Sequence, residues 1–401
     1  MNKRTIALFI ALTVLMYAWP LWQRLHTSGP ASRGFADKNL PVAFQSGEPY
    51  FVEEFITPPA DIQVHAASIA ELKDGTLVAA WNGGKHEGSA DIRIYFTTRA
   101  VGKHWSPRSG IVSRESASRE LNRYIKTLGN PLLFTDLTDR LTLIFVTVSL
   151  GRWSGSSLNM KTSTDRGRTW SRSQRLTLNP FFNLGELVRN NALRLANGGF
   201  AVPIHHEFAG IFSELLWLHP GGLAQAPEYF KTRLTRGKKY LQPAIVEFSP
   251  SDALAFHRSS RPNGRIAMSL SHDGGTTWTA PWPLDLPNPG SGLNAMLLSD
   301  GRVLLAFNDS LSRRDKLALA VSSRAAAEAT GIDFRRWRRV AILEYTPGKD
   351  FSYPFMLRTA DGKIHMVYTW NRERIKHVVF NEKWIERRLS SGSGHLAPVK
   401  E

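Results

Sequence analysis

Two stretches of the chain, Ser163 to Trp170 and Ser271 to Trp278, share the pattern S-x-D-x-G-x-T-W. Each follows an apolar run, Leu158 to Thr162 and Ile266 to Leu270. The residue types suit a tight hairpin turn. Ser and Asp side chains accept from nearby backbone N–H groups, Gly takes positive φ, and Trp packs beneath. A turn signature that recurs means a supersecondary unit that recurs. Weaker copies lie at Thr97 to Trp105 and Ser322 to Trp337, a worn turn at His219-Pro220-Gly221-Gly222, and a last unit ends near Trp384. That makes about six units.

A second pattern agrees. An apolar run, a turn with Asp or Asn next to Gly, and another apolar run recur from Glu71, Leu133, Arg194, Val246, Leu297 and Leu357. Each predicts a β-hairpin. Two hairpins per unit give a four-stranded sheet, and six sheets around an axis give an all-β, six-bladed β-propeller. A two-sheet sandwich would not produce so regular a period. After residue 40, sustained helical periodicity is confined to Ser323 to Thr330.

The N-terminus differs in kind. Met1-Asn2-Lys3-Arg4 is a basic start, and Thr5 to Trp22 carries no charge. About 18 apolar residues suffice to cross a bilayer, and the preceding charges favour a cytoplasmic N-terminus. No A-x-A cleavage site directly follows, so the segment reads as a retained signal anchor rather than a cleaved signal. The expected organisation is therefore residues 1–25 as one N-terminal transmembrane helix and 26–45 as a polar linker. Residues 46–390 form the propeller and 391–401 a tail. The propeller is expected on the periplasmic side of an inner membrane. The absence of cysteine excludes disulfides and a lipoprotein anchor. The net charge of +17 suits acidic glycans or an anionic membrane surface. A solvated basic surface explains it equally well. No nucleic-acid module is present, and no such partner is expected.

Propeller geometry sorts the loops. Turns within hairpins lie on one face, so the repeated Asp-Gly and S-x-D-x-G-x-T-W turns are structural. The other face receives the first-strand starts and second-strand ends. The former bring His65, Asn130, Arg189, Gln242, Asn294 and Tyr353 toward the axis, at spacings of 65, 59, 53, 52 and 59 residues. The latter, with their loops, supply Glu87, Asp91, His205, His206, Glu207, Arg258, Asp309 and Trp370. Cationic, acidic, imidazole and aromatic groups converging on one concave face suggest a carbohydrate site. Plainer roles compete: Asn130-Pro131 can simply open a strand, Arg189 can pair with Glu186, and Tyr353 can be a packed aromatic. His205 and His206 point to opposite sides of a strand, and no H-E-x-x-H or Cys is present. Neither a metal nor a cofactor is expected.

Six units with these turns resemble the sialidase (neuraminidase) superfamily. The resemblance covers roughly residues 50–385. His65-Ala-Ala-Ser, Trp81-Asn-Gly-Gly, Glu87-Gly-Ser-Ala-Asp91, Leu241-Gln-Pro, Phe307-Asn-Asp, Ser352-Tyr-Pro and Tyr368-Thr-Trp resemble a bacterial branch of BNR-repeat, sialidase-like proteins. Sialidases clamp a substrate carboxylate with three arginines, use a Tyr–Glu pair as nucleophile and base, and an Asp as acid/base. The resemblance implies Tyr353 as nucleophile, Arg258 as a clamp arginine, and Asp91 or Glu87 as acid/base. It also marks departures. His65 stands where a clamp arginine belongs, Gln242 where the glutamate belongs, and Asn294 where a third arginine belongs. Arg189 is a candidate substitute ligand from another blade.

Three functions follow. The first is an exo-acting glycoside hydrolase on an acidic or sialic-acid-type sugar at the cell envelope. Tyr353, Asp91, Glu87 and His65 would be catalytic. Arg258, Arg189, Gln242, Asn294, Asn130, His206, Asp309 and Trp370 would bind the glycan. The second is a polysaccharide lyase using His65 and Tyr353 as acid and base. The third is a non-catalytic, membrane-anchored glycan-binding protein.

Overall fold

In the computed structural model the chain is described over residues 3–11, 13–14, 34–37, 47–59, 62–179, 182–219, 229–235, 237, 239–261, 263–324 and 332–391. Its strands form six antiparallel sheets. Blade 1 runs Gln63–Glu71, Leu77–Gly84, Arg93–Arg99, Ser109–Ser113. Blade 2 runs Thr127–Thr135, Leu141–Val148, Ser156–Ser163, Gln174–Arg175. Blade 3 has a broken inner strand, Glu186–Val188 and Leu193–Arg194, followed by Phe200–His206, Phe212–Leu218 and Tyr229–Arg233. Blade 4 runs Tyr240–Glu247, Ala253–Ser259, Gly264–Ser271, Trp282–Asn288, and blade 5 Asn294–Leu297, Val303–Asn308, Lys316–Arg324, Ile332–Tyr345. Blade 6 draws on both ends of the chain: Phe351–Arg358, Ile364–Trp370 and Arg374–Phe380 are completed by Phe51–Phe55 outermost. Neighbouring blades touch one another around a closed ring, the inner strand of blade 6 returning to that of blade 1. The chain is a six-bladed β-propeller.

All six expected hairpins form the first and second strands of a blade. Their residues are buried on both faces because each blade is covered by its neighbours. In Leu77–Gly84, Ala79 and Trp81 join one apolar cluster while Val78 and Ala80 join the next, the period-two sorting of a doubly covered sheet.

The two repeated turns have the same bonds. Ser163 Oγ donates to Asp165 Oδ1 (2.8 Å) and accepts from Gly167 N (2.8 Å), while Asp165 Oδ1 accepts from Thr169 N (2.9 Å). Ser271, Asp273, Gly275 and Thr277 repeat this at 2.9, 2.9 and 2.8 Å. Each Trp indole closes onto the glycine carbonyl, Trp170 at 3.1 Å and Trp278 at 2.9 Å. Both turns link the third strand to the fourth. The cluster of acceptor bonds holds Asp165 down at about 2, so the turn keeps its charge at any physiological pH.

Some expectations are corrected. Two helices occur where no helical period was read: α1, Arg114–Leu121, and α2, Glu382–Ser390. Both are short and rest on capping. Ser113 and Ser116 form a capping box on α1, and Asn381 accepts from Trp384 N (2.9 Å) on α2. Trp384, near which the last unit was expected to end, is thus a helical residue, stacked on Phe51 at 4.8 Å. Of Ser323 to Thr330, Ser323 and Arg324 are strand and the rest lies outside the described residues, as does most of the turn after His219. Residues 3–11 and 13–14 are helical and exposed. Among the described residues no helix is long and apolar enough to cross a membrane; residue 12 and residues 15–22 of the expected span lie outside them.

Candidate active site

Five of the six inner strands share one irregularity, blade 5 being the exception. Ala66, Asn130, Asn190, Gln242 and Tyr353 all have positive φ, between 44° and 75°. In blades 1, 2, 4 and 6 the register slips there, between His65 and Ser68, Gly129 and Leu132, Leu241 and Ala244, and Ser352 and Phe355. In blade 3 the inner strand breaks at the same level. Left-handed backbone at a non-glycine residue costs on the order of 1–3 kcal/mol, and it persists where surrounding bonds over-determine it. Bulges of this kind re-aim side chains at functional sites.

The over-determining bonds are visible. Arg189 is buried, and its guanidinium donates to the carbonyls of Ala67 (3.0 Å) and Tyr353 (2.6 Å), tying blade 3 to the bulges of blades 1 and 6. Burial lowers it to about 10, which still leaves it charged. It does not pair with Glu186, which instead meets Lys231 and His206. Asn294 Nδ2 donates to Asn191 Oδ1 (2.8 Å) and Asn190 Oδ1 (3.1 Å), and its Oδ1 accepts from Met356 N (3.1 Å). Asn190 Nδ2 donates to the Gln242 carbonyl at 3.0 Å. Arg189 and Asn294 therefore form the floor on which Tyr353 stands. Asn130 occupies the blade 2 bulge, partly exposed.

At the Tyr353 hydroxyl, Arg258 Nη1 donates at 3.0 Å and Gln242 Nε2 lies at 3.5 Å; Gln242 Oε1 accepts from the same Arg258 Nη1 at 2.9 Å. Two N–H donors aimed at one oxygen favour its ionised form. Burial of Tyr353 pushes the phenol up, but the charges of Arg258 and Arg314 and the Gln242 amide outweigh it, and the phenol lies below its usual value. Arg314 reaches over the ring at 5.7 Å and donates to the Gly290 carbonyl at 2.9 Å. The Arg258 Nε is buried with no hydrogen-bond acceptor among the described residues.

His65 meets the Tyr353 ring edge-on, 4.4 Å between centroids, and its Nδ1 lies 2.9 Å from Thr369 Oγ1. Burial, then the charges of Arg372, Arg314, Arg189 and Arg258, hold it well below the usual imidazole value. His65 is neutral. Four arginines thus act on one imidazole.

Arg372 is balanced by two carboxylates: Nη1 donates to Glu87 (2.7 Å) and Nε to Asp350 (2.9 Å). Glu87 thereby crosses from the blade 1 loop to blade 6, and its charge is felt at Tyr353, where it raises the phenol. Asp91 serves its own loop, accepting from Ser89 Oγ (2.6 Å) and Lys85 N (3.0 Å). Those bonds hold it below the usual carboxylate range.

Three expected residues are committed elsewhere. His206 Nε2 accepts from Ala209 N (2.9 Å), so its Nδ1–H faces Glu186 (3.1 Å) in blade 3. Glu186, His206 and Glu214 offer atoms within 4.8 Å of one another. The Lys231 ammonium, 2.5 Å from Glu186 and 3.1 Å from Glu214, already supplies the cation there. Asp309 is held by Arg339 through two 2.8 Å bonds. Trp370 packs edge-on against Phe55 at 5.5 Å. The arginines Arg314 and Arg372 were not anticipated. Both lie in loops after second strands, the class of loop that the topology sends to this face.

A family model described as a BNR repeat-like domain matches residues 75–366. No curated protein matches the chain. Among solved structures, a protein of unknown function from Dyadobacter fermentans is similar at TM-score 0.64 and 17% identity, over 82% of this chain and 97% of that one. The intramolecular trans-sialidase from Ruminococcus gnavus, in complex with oseltamivir carboxylate, is similar at TM-score 0.62 and 17% identity, over 89% and 99%. The NanB sialidase from Streptococcus pneumoniae gives TM-score 0.60 and 13% identity, over 90% and 72%. These likenesses establish a sialidase-like fold.

Proposed function

The chain belongs to the BNR repeat-like family, and from that premise we propose that it is a sialidase-like glycoside hydrolase, exo-acting on an acidic or sialic-acid-type sugar. The observation that carries this is the Arg258–Tyr353 contact of 3.0 Å inside a pocket of arginines. The sugar carboxylate meets the charges of Arg258, which is only partly buried, and of Arg314. The phenol oxygen, already favoured as the nucleophile by two N–H donors, attacks the anomeric carbon. A nucleophile carrying a full negative charge in an uncompensated site would repel such a substrate; here the cations offset it. As the phenol oxygen bonds the anomeric carbon its proton is released to solvent and the glycosidic C–O bond breaks; the leaving oxygen takes its proton from Glu87, which, once the substrate anion releases it from Arg372, has taken one up from solvent. Asp91 shapes the loop that presents Glu87. Arg189 and Asn294 position Tyr353 rather than touching sugar, and His65, neutral, orients a hydroxyl. Water then cleaves the glycosyl–tyrosine bond and restores the phenol.

A sialoside and its methyl ester, assayed side by side, test the reading. Loss of the carboxylate should lower kcat/KM by roughly 10²-fold or more, the scale of a charged bidentate contact. Equal rates would remove the anion clamp.

The edge-on His65–Tyr353 pair at 4.4 Å favours a second reading, a lyase in which one of the two takes the proton beside a uronate carboxylate and the other protonates the leaving oxygen. An unsaturated, ultraviolet-absorbing product would identify it. An envelope location is part of the same proposal, resting on the basic start and the uncharged run Thr5 to Trp22. Protease protection of the propeller in intact cells, lost when the outer barrier is opened, is the expected result.

A further inference from the structure

Large exposed apolar side chains concentrate on the face that carries the site. Leu150 is 77% exposed, Phe182 70%, Tyr124 64% and Phe208 53%. Each stands in a different loop of blades 2 and 3, all on the side where second strands end and new blades begin. The loops form one continuous rim. The Tyr124 carbonyl accepts from Ser149 Oγ at 2.7 Å, Lys126 Nζ donates to the Gly151 carbonyl at 3.0 Å, and Gly185 N donates to the Ser156 carbonyl at 2.8 Å. Glu207 N then donates to the Gly185 carbonyl at 2.8 Å, and Phe182 and Phe208 lie 6.3 Å apart. Removing so much apolar surface from water is favourable, and patches of this kind mark interaction sites.

We infer that this rim docks on an anionic lipid bilayer, so that the site opens toward a membrane surface. Three features favour lipid over a protein partner. The apolar groups sit singly at loop tips, separated by polar residues such as Asn122 and Ser154, a spacing suited to entry between headgroups rather than to a flat interface. Exposed Lys126 and Arg152 flank them, and the acidic residue of these loops, Glu207, faces His205 at 3.2 Å. The whole chain is basic, at +17, which draws it toward acidic lipid. The docking does not depend on the hydrolase reading.

The test uses the full chain, which contains no cysteine, so one cysteine can be placed at will. Leu150→Cys, Phe182→Cys and, on the opposite face, Val101→Cys are labelled with an environment-sensitive fluorophore. Each is mixed with vesicles of phosphatidylcholine, with or without about 30% phosphatidylglycerol. Residues 3–11 also expose Ile6, Leu8, Phe9 and Ile10, so a local probe is needed rather than bulk partition. The expected result is a several-fold brightening and blue shift at positions 150 and 182, on anionic vesicles only, with none at 101. No response at 150 and 182 overturns the inference and leaves the rim to a protein or polysaccharide. An equal response at 101, or on neutral vesicles, overturns it as well.

Discussion

Arg258 and Tyr353 lie 95 positions apart in sequence, on blades 4 and 6, yet the guanidinium Nη1 reaches the phenol oxygen at 3.0 Å. A buried phenol alone would ionise above its usual value; beside this arginine it ionises below it. Ultraviolet titration of wild type minus Tyr353→Phe should show phenolate forming below pH 10. In Arg258→Met the same difference should move up by about 1–3 pH units, the reach of one adjacent charge, and so past 10. An unchanged midpoint would mean that Arg258 does not control the tyrosine.

Glu87 presents a separable test. In Glu87→Gln, Arg372 keeps only Asp350 as an ion partner, so an anionic sugar meets less competition. KM should fall while kcat drops by about 10²–10⁴, the usual loss with a general acid. If kcat holds in Glu87→Gln and falls in Asp91→Asn, the proton comes from Asp91.

Most of the fold was legible, and the reason is chemical. The S-x-D-x-G-x-T-W turns need those residues for their bonds, so the repeat announced itself. The site was partly legible through the blade period, which led to Asn130, Gln242 and Tyr353, the left-handed positions of their strands, each with a Pro after it. In blades 1 and 3 the period led to His65 and Arg189, one residue before the left-handed positions Ala66 and Asn190. No Pro follows there to fix the register. Arg314 and Arg372 escaped notice because loop residues carry no period. Of their partners, Glu87 becomes a neighbour of Arg372 only when blade 6 meets blade 1. His206 and Asp309 have the right chemistry and the right loops, but nearer partners, Glu186 and Arg339, hold them.

Gly167 tests the repeated turn. Its φ is +84°, and an added Cβ would lie 2.4 Å from the Phe96 ring. Gly167→Ala therefore combines backbone strain with a clash and should cost about 2–4 kcal/mol in urea unfolding. Activity of the folded fraction should be unchanged, since the turn lies on the face opposite Tyr353. A neutral substitution would contradict the turn geometry.

Acid stability follows from buried imidazoles. His257 lies between Ser213 (3.0 Å) and Ser269 (2.7 Å), and burial lowers it to about 3; His365 is lowered to about 3, again by burial first. The unfolded chain takes up these protons near pH 6.5, and the folded chain resists them. Their contribution is therefore full above 6.5 and is lost as pH falls toward 3, at about 1.4 kcal/mol per pH unit for each group. The urea midpoint should drop steeply from pH 7 to 5, and His257→Gln should flatten the slope by about one proton. A slope unaffected by that change would place the proton uptake elsewhere.

Product analysis of wild type beside Tyr353→Phe, on a panel of sialosides and acidic polysaccharides, tests the central claim most directly. The account predicts a released, saturated acidic sugar from wild type and at least a 10³-fold slower release from the variant, roughly the loss for a removed nucleophile. Undiminished release by Tyr353→Phe, or no release by wild type from any glycan it binds, would contradict it.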